Sequence, residues 1–170
     1  MNIVLVGLSG SGKTTVGKLL EKSLNNLRFV DTDEIIVENE KKSINDIFAE
    51  SGEQKFREIE KAVVEKVSME NNLIISTGGG VVLYKENMLN LKKNGIIFYL
   101  KTSPEVIAKR LKNDDTRPLL KVNDVKEKLY KMLEIREKLY ETADVTINTD
   151  KLPPEKTVES ILKEYENARS

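Results

Sequence analysis

The sequence predicts an α/β fold, three layers deep, with a five-stranded parallel sheet between helices, and three observations lead there. Runs of branched and aromatic residues recur five times, at 3–6, 28–30, 73–76, 96–100 and 145–147. Longer stretches with apolar residues at helical spacing separate them, and a glycine-rich loop joins the first run to the first such stretch. Short, continuously apolar runs are the mark of strands buried on both faces. Their alternation with helices makes the sheet parallel and covers it on both sides.

The 170 residues fit one domain, 1–170, large enough to bury a core without disulfides or structural metal. Lysine plus arginine number 28 and aspartate plus glutamate 28, so no global positive field draws nucleic acid or an anionic membrane, and the expected partners are small molecules. Cysteine and histidine are both absent, which excludes thiol nucleophiles, imidazole bases and the usual zinc ligands. Chemistry falls to carboxylates, lysine, arginine, hydroxyls and backbone amides. No basic region precedes the first apolar run, and that run is too short to span a membrane, so a cytoplasmic protein is expected.

The loop after the first strand reads Gly7-Leu8-Ser9-Gly10-Ser11-Gly12-Lys13-Thr14, matching G-x-x-x-x-G-K-[ST], and leads into a helix carrying Val16, Leu19 and Leu20. Glycines let successive amides turn inward on phosphate oxygens, and the helix amino terminus adds partial positive charge there. Lys13 is expected to reach the β and γ phosphates, and Thr14 to offer its hydroxyl to magnesium. Such a loop also serves switch GTPases and transporter ATPases. The chain has no N-K-x-D or D-x-x-G element and no L-S-G-G-Q signature, which leaves a metabolite kinase.

Ligands of an open parallel sheet gather beyond the carboxyl ends of its strands. The second strand ends in Asp31-Thr32-Asp33. One carboxylate there suits magnesium and the other an acceptor hydroxyl, with a plain helix cap as the alternative for either. Ser51-Gly52-Glu53-Gln54 has the form of a capping box that restarts a helix after 44–48. In that second helix Phe56, Arg57 and Glu60 share a side, while Ile59 and Val63 begin the core stripe; an exposed, salt-bridged face is the competing reading. After the third strand come Gly78-Gly79-Gly80, where backbone can approach a ligand closely or simply form a flexible loop.

Ser103-Pro104 marks a helix start. The polar segment that follows that helix, with Arg117-Pro118-Leu119-Leu120, reads as a mobile lid over about 112–124, and a plain surface loop is the alternative. A long helix over about 125–141 carries Leu129, Met132, Leu133 and Tyr140 on one side, with Arg136 on the same stripe. A cation there needs a carboxylate, either from the protein or from a substrate.

Together these residues resemble the shikimate kinases, P-loop enzymes of the nucleoside monophosphate kinase-like group, over nearly the whole chain from Gly7 to around Pro154. The resemblance rests on the phosphate loop, the Asp-Thr-Asp triplet, Phe-Arg-x-x-Glu, the triple glycine, Arg-Pro-Leu-Leu and the arginine of the long helix. It implies ATP-dependent phosphorylation of the 3-hydroxyl of shikimate, with magnesium, on the route to chorismate and aromatic amino acids. It further implies that Asp33, Arg57, Gly79, Gly80 and Arg136 bind the acceptor, the two arginines through its carboxylate. Asp33 is then the candidate base, and a helical segment over about 32–62 belongs to the acceptor. Thr14 and Asp31 are associated with the metal. Gly10, Ser11, Gly12, Lys13, Thr14 and Thr15 hold ATP, with Arg110 and Pro154 beside adenine, and Lys13 and Arg117 stabilise the transferring group. A monomer is expected. The competing readings are a gluconate or nucleotide kinase, which does not obviously need the triple glycine or Arg136, and a nucleotide-binding regulator without turnover. The regulator would have no use for Lys13, Asp33 and Arg117 together.

Overall fold

The computed structural model describes residues 1–112 and 122–170. The chain runs β1 (Asn2–Val6), α1 (Lys13–Ser23), β2 (Arg28–Asp31), α2 (Thr32–Glu40), α3 (Ile44–Met69), β3 (Leu73–Ser76), a 3-10 turn (Val81–Leu83), α4 (Lys85–Lys93), β4 (Gly95–Lys101), α5 (Pro104–Lys112), α6 (Val122–Tyr140), β5 (Val145–Asn148) and α7 (Pro154–Arg169). All five predicted strands form, each within one residue of its expected ends. They make one parallel sheet in the order β2-β3-β1-β4-β5, so β1 is central and pairs with β3 on one side and β4 on the other.

Every residue of β1 is buried, as its unbroken apolar run requires. Alternate side chains feed two cores. Val4 and Val6 pack on one face with Ile36, Val64 and Leu91 from α2, α3 and α4, and with Tyr140 of α6. Ile3 and Leu5 pack on the other with Val16 and Leu20 of α1 and Val158 and Ile161 of α7. These faces form the outer layers of the α/β/α sandwich and hold the carboxyl ends of β1, β2 and β3 side by side.

One local expectation changes in part. A helix does restart near residue 51, across a break inside α3 at Gly52, which takes φ 80, ψ 171, a conformation open essentially only to glycine. No hydrogen bond of a capping box involves Ser51 among the described residues; the cap that forms is at the start of α3, where Ser43 Oγ accepts from the Asp46 amide at 3.1 Å. The start at Pro104 does form, with the Ser103 hydroxyl accepting from the Val106 amide at 3.4 Å. Of the lid expected over about 112–124, residues 113–121, Arg117 among them, lie outside the described residues.

Helix α1 sits so close to β2 that a Cβ on Gly17 would run into the Phe29 ring. Gly17→Ala is therefore expected to destabilise by about 1–3 kcal/mol through overpacking, outweighing the roughly 1 kcal/mol by which alanine favours a helix. Urea unfolding reads the difference; a raised midpoint would show that the helix shifts freely away from β2.

Candidate active site

The loop after β1 turns through glycines with positive φ at Gly7 (149), Gly10 (85) and Gly12 (96), and α1 begins at Lys13. Side chains would not fit: a Cβ on Gly7 would lie 2.8 Å from the Leu100 carbonyl, and one on Gly10 2.8 Å from Ile107. Lys13 is buried, and its Nζ donates to the carbonyls of Gly7 at 2.8 Å and Leu8 at 2.9 Å. Desolvation lowers its pKa to about 8, against the attraction of Asp33 and Asp31. The loop leans on β4 and β5 through Thr102, whose hydroxyl donates to the Ser11 carbonyl at 3.4 Å and pairs with the Thr149 hydroxyl at 2.6 Å.

This loop floors a cleft of about 590 Å³. Gly10, Ser11, Gly12, Lys13, Thr14, Thr15, Arg110 and Pro154, assigned to ATP from sequence, all line it. Arg110 also donates to the Gly10 carbonyl at 3.4 Å. Thr77, Thr149, Leu152 and Thr157 also line it without having been singled out. Thr149, just after the edge strand, and Thr157, on the last helix, approach the loop without leaving a local pattern.

Asp31 caps a helix and meets the phosphate loop with the same side chain. Its Oδ1 caps α2, accepting from the amides of Asp33 at 2.9 Å and Glu34 at 3.4 Å, while Oδ2 accepts from the Thr14 hydroxyl at 3.2 Å. A carboxylate beside a hydroxyl at the mouth of the phosphate loop suits magnesium, which keeps several waters and takes few protein ligands. The described residues contain no cluster of three or more acidic groups that would hold a metal unaided.

Asp33, the second residue of α2, lines the same cleft, and its pKa is raised by desolvation first and by Asp31 second, against Lys13 and Arg57. Behind it lies a second wall. Arg57 and Glu60 of α3 are buried rather than exposed, and Arg57 Nη1 donates to Glu60 Oε1 at 2.8 Å. Burial pushes the Glu60 carboxyl up, opposed by Arg57 and, more weakly, by Arg136. Gly78, Gly79 and Gly80 form a buried turn instead of a loose loop. A Cβ on Gly78 would lie 2.8 Å from Asp33 Oδ1 and 3.1 Å from Glu60 Oε2, and one on Gly80 would overlap the Arg57 guanidinium. Arg57, Gly80 and Arg136 do not line the main cleft; Arg57 and Gly80 meet at the glycine turn that does, and Arg136 is near enough to Glu60 to oppose its raised pKa. Arg136 is half-buried on α6, one turn before Tyr140. Three buried atoms on this wall, Asp33 Oδ1, Arg57 Nε and Glu60 Oε2, have no hydrogen-bond partner among the described residues.

A phosphate loop alone suits any nucleotide-binding protein; the ionisable wall set beside it by α2 and α3 makes this one a P-loop phosphotransferase of the small-molecule kinase class. A family model described as shikimate kinase matches residues 9–166. A shikimate kinase of Caldicellulosiruptor saccharolyticus is 52% identical over 161 residues, covering 95% of this chain and 93% of the relative. One of Thermodesulfovibrio yellowstonii is 47% identical, covering 97% and 95%. The solved shikimate kinase of Acinetobacter baumannii, in complex with shikimate, superposes with a TM-score of 0.87 at 36% identity, covering 98% of this chain and 93% of that one. The chain belongs to the shikimate kinase family.

The lowered basicity of Lys13 has a measurable sign. The amine is a weaker base in the folded protein than in the unfolded chain. Its burial therefore costs stability in full below pH 8, and that cost is relieved as pH rises from about 8 towards the ordinary 10.5. The charged amine is the form that binds phosphate. ATP affinity measured without divalent cations should hold steady below pH 8 and then fall roughly tenfold per unit above it, whereas Lys13→Met should bind more weakly with no such bend. A wild type flat to pH 9.5 would show that the amine keeps its ordinary basicity in the folded protein, and Lys13→Met binding as well as wild type would remove Lys13 from the phosphate site.

Proposed function

We propose that the protein transfers the γ-phosphoryl group of ATP to the 3-hydroxyl of shikimate, yielding shikimate 3-phosphate and ADP. The observation that carries this reading is the set of partnerless buried atoms on the wall beside the phosphate loop: the donor Arg57 Nε and the acceptors Asp33 Oδ1 and Glu60 Oε2. Buried polar groups are rarely left so unless a ligand completes them. A guanidinium asks for an anion and the carboxylates for hydroxyls, the two functions that a polyhydroxylated carboxylic acid combines. Shikimate is such an acid, and it is the compound bound in the Acinetobacter relative.

In this reading the amides of the loop, with Lys13, Thr14 and Thr15, hold the phosphates, and Arg110 and Pro154 flank the adenine. Arg57 and Arg136 take the acceptor's carboxylate against Gly79 and Gly80. Asp33 orients the 3-hydroxyl, whose oxygen bonds to the γ-phosphorus as the bond to the β–γ bridging oxygen breaks. The raised pKa of Asp33 makes it a better proton acceptor than an ordinary aspartate, and positioning supplies most of the remaining rate. Lys13 neutralises charge on the transferring group, joined by Arg117 from the lid. Magnesium, held by the Thr14 hydroxyl and, largely through water, by Asp31, would supply further neutralisation of the phosphate oxygens. The reading extends to a monomeric cytoplasmic enzyme, which light scattering and fractionation would check.

The direct test is ADP release with magnesium and ATP, comparing shikimate, gluconate, AMP and no acceptor. Turnover with shikimate alone is expected; turnover only with another acceptor would leave a kinase of different substrate. Arg136→Ala should raise the KM for shikimate by about tenfold or more, as loss of a charge-assisted hydrogen bond implies, while the KM for ATP stays within about twofold. Equal effects on both would take the carboxylate away from Arg136.

A further inference from the structure

Tyr140, read from sequence as one more residue of the apolar stripe of α6, does something besides packing. It is fully buried at the end of α6, and its hydroxyl donates to the Gly79 carbonyl. Its ring stacks on Tyr99 of β4, with centroids 4.9 Å apart and planes 18° from parallel. Tyr99 is the cross-strand neighbour of Val6, the last residue before the phosphate loop. One side chain thus ties together the helix carrying Arg136, the strand beside the phosphate loop and the glycine turn.

The peptide between Gly79 and Gly80 is the kind that needs such a tie. With no side chain on either side, its plane rotates at little steric cost. The bonds on either side of it, from the Val81 amide to Gly78 and from the Leu83 amide to Gly80, leave the Gly79 carbonyl to Tyr140. The described residues contain no cis peptide bond, so when Tyr140 holds that carbonyl the Gly80 N–H of the same peptide points the opposite way, away from the tyrosine. Among the described residues neither the Gly79 nor the Gly80 amide has a protein acceptor. Both glycines lie in close contact: a Cβ on Gly79 would touch Ser9 of the phosphate loop at 3.3 Å, and one on Gly80 would overlap Arg57.

We propose that Tyr140 is a positioning residue for the acceptor: through its bond to Gly79 it fixes the Gly79–Gly80 peptide and ties α6, with Arg136, to the surface on which the acceptor docks. The proposal rests on the shikimate reading above. A tyrosine that merely fills the core predicts that loss of its hydroxyl changes stability; a positioning tyrosine predicts a selective loss on the acceptor side.

Tyr140→Phe keeps the ring stack and removes the hydroxyl, and with it the bond to Gly79 and the interaction with Arg136, while Tyr99→Phe removes the other ring's hydroxyl and leaves both in place. Initial rates with varied shikimate and varied ATP, alongside thermal melting, separate the cases. Tyr140→Phe should raise the KM for shikimate by about fivefold or more, the scale expected when a buried carbonyl loses its donor, and should leave the KM for ATP within about twofold. Tyr99→Phe should match wild type in both. The inference is overturned by a Tyr140→Phe variant with unchanged KM values, whatever its melting temperature. Equal rises in both KM values, or Tyr99→Phe behaving as Tyr140→Phe, overturn it as well. A wild type with no shikimate-dependent turnover removes the underlying reading too, so the two failures are told apart.

Discussion

Everything at this site depends on keeping charged groups out of water at the carboxyl end of a parallel sheet. Lys13, Asp33, Arg57 and Glu60 are all substantially buried, and burial shifts Lys13 one way and the two carboxylates the other. Such groups are costly unless paired, and here the pairing is partial: Lys13 rests on two carbonyls, Arg57 on Glu60, and several atoms stay open. Two dry cores, one on each face of the sheet, offset that cost. The strain of an unfinished electrostatic arrangement is what a pair of anionic, hydroxyl-bearing ligands would relieve.

Close approach is the second constraint, and glycine meets it. At Gly7 and Gly10 the loop curls against β4 and α5 where a Cβ would collide. At Gly78 and Gly80 the turn lies against Asp33, Glu60 and Arg57. The phosphate loop and the buried ionisable wall therefore approach through backbone, at Ser9 and Gly79, with no side chain of the turn between them. Thr102 and Thr149 brace the loop from one side, and Tyr140 holds the turn from the other.

Much of this was legible in the sequence because it is written in local patterns. Continuous apolar runs of four or five residues mark buried strands whatever surrounds them, and the loop motif carries its own geometry in its glycines. The Asp-Thr-Asp triplet was readable as carboxylates at a strand end, though the sequence did not say that Asp31 would cap a helix and meet Thr14 with the same side chain. Near Ser51 the local pattern was right about the restart and wrong about its cause: the helix breaks at Gly52, and no capping-box bond of Ser51 forms among the described residues.

What the sequence by itself determined is the alternation of strands and helices, the phosphate loop and the family, since each depends on residues close together in the chain or on their order. What only the tertiary structure decided is which polar residues lie inside. Arg57 and Glu60 sit at a spacing that an exposed salt-bridged helix shares, and their burial follows from how α3 packs against the glycine turn. Tyr140 reads as core by periodicity, and its bond to Gly79 spans 61 residues of chain. Burial and long-range pairing depend on the approach of distant elements, which no local pattern encodes.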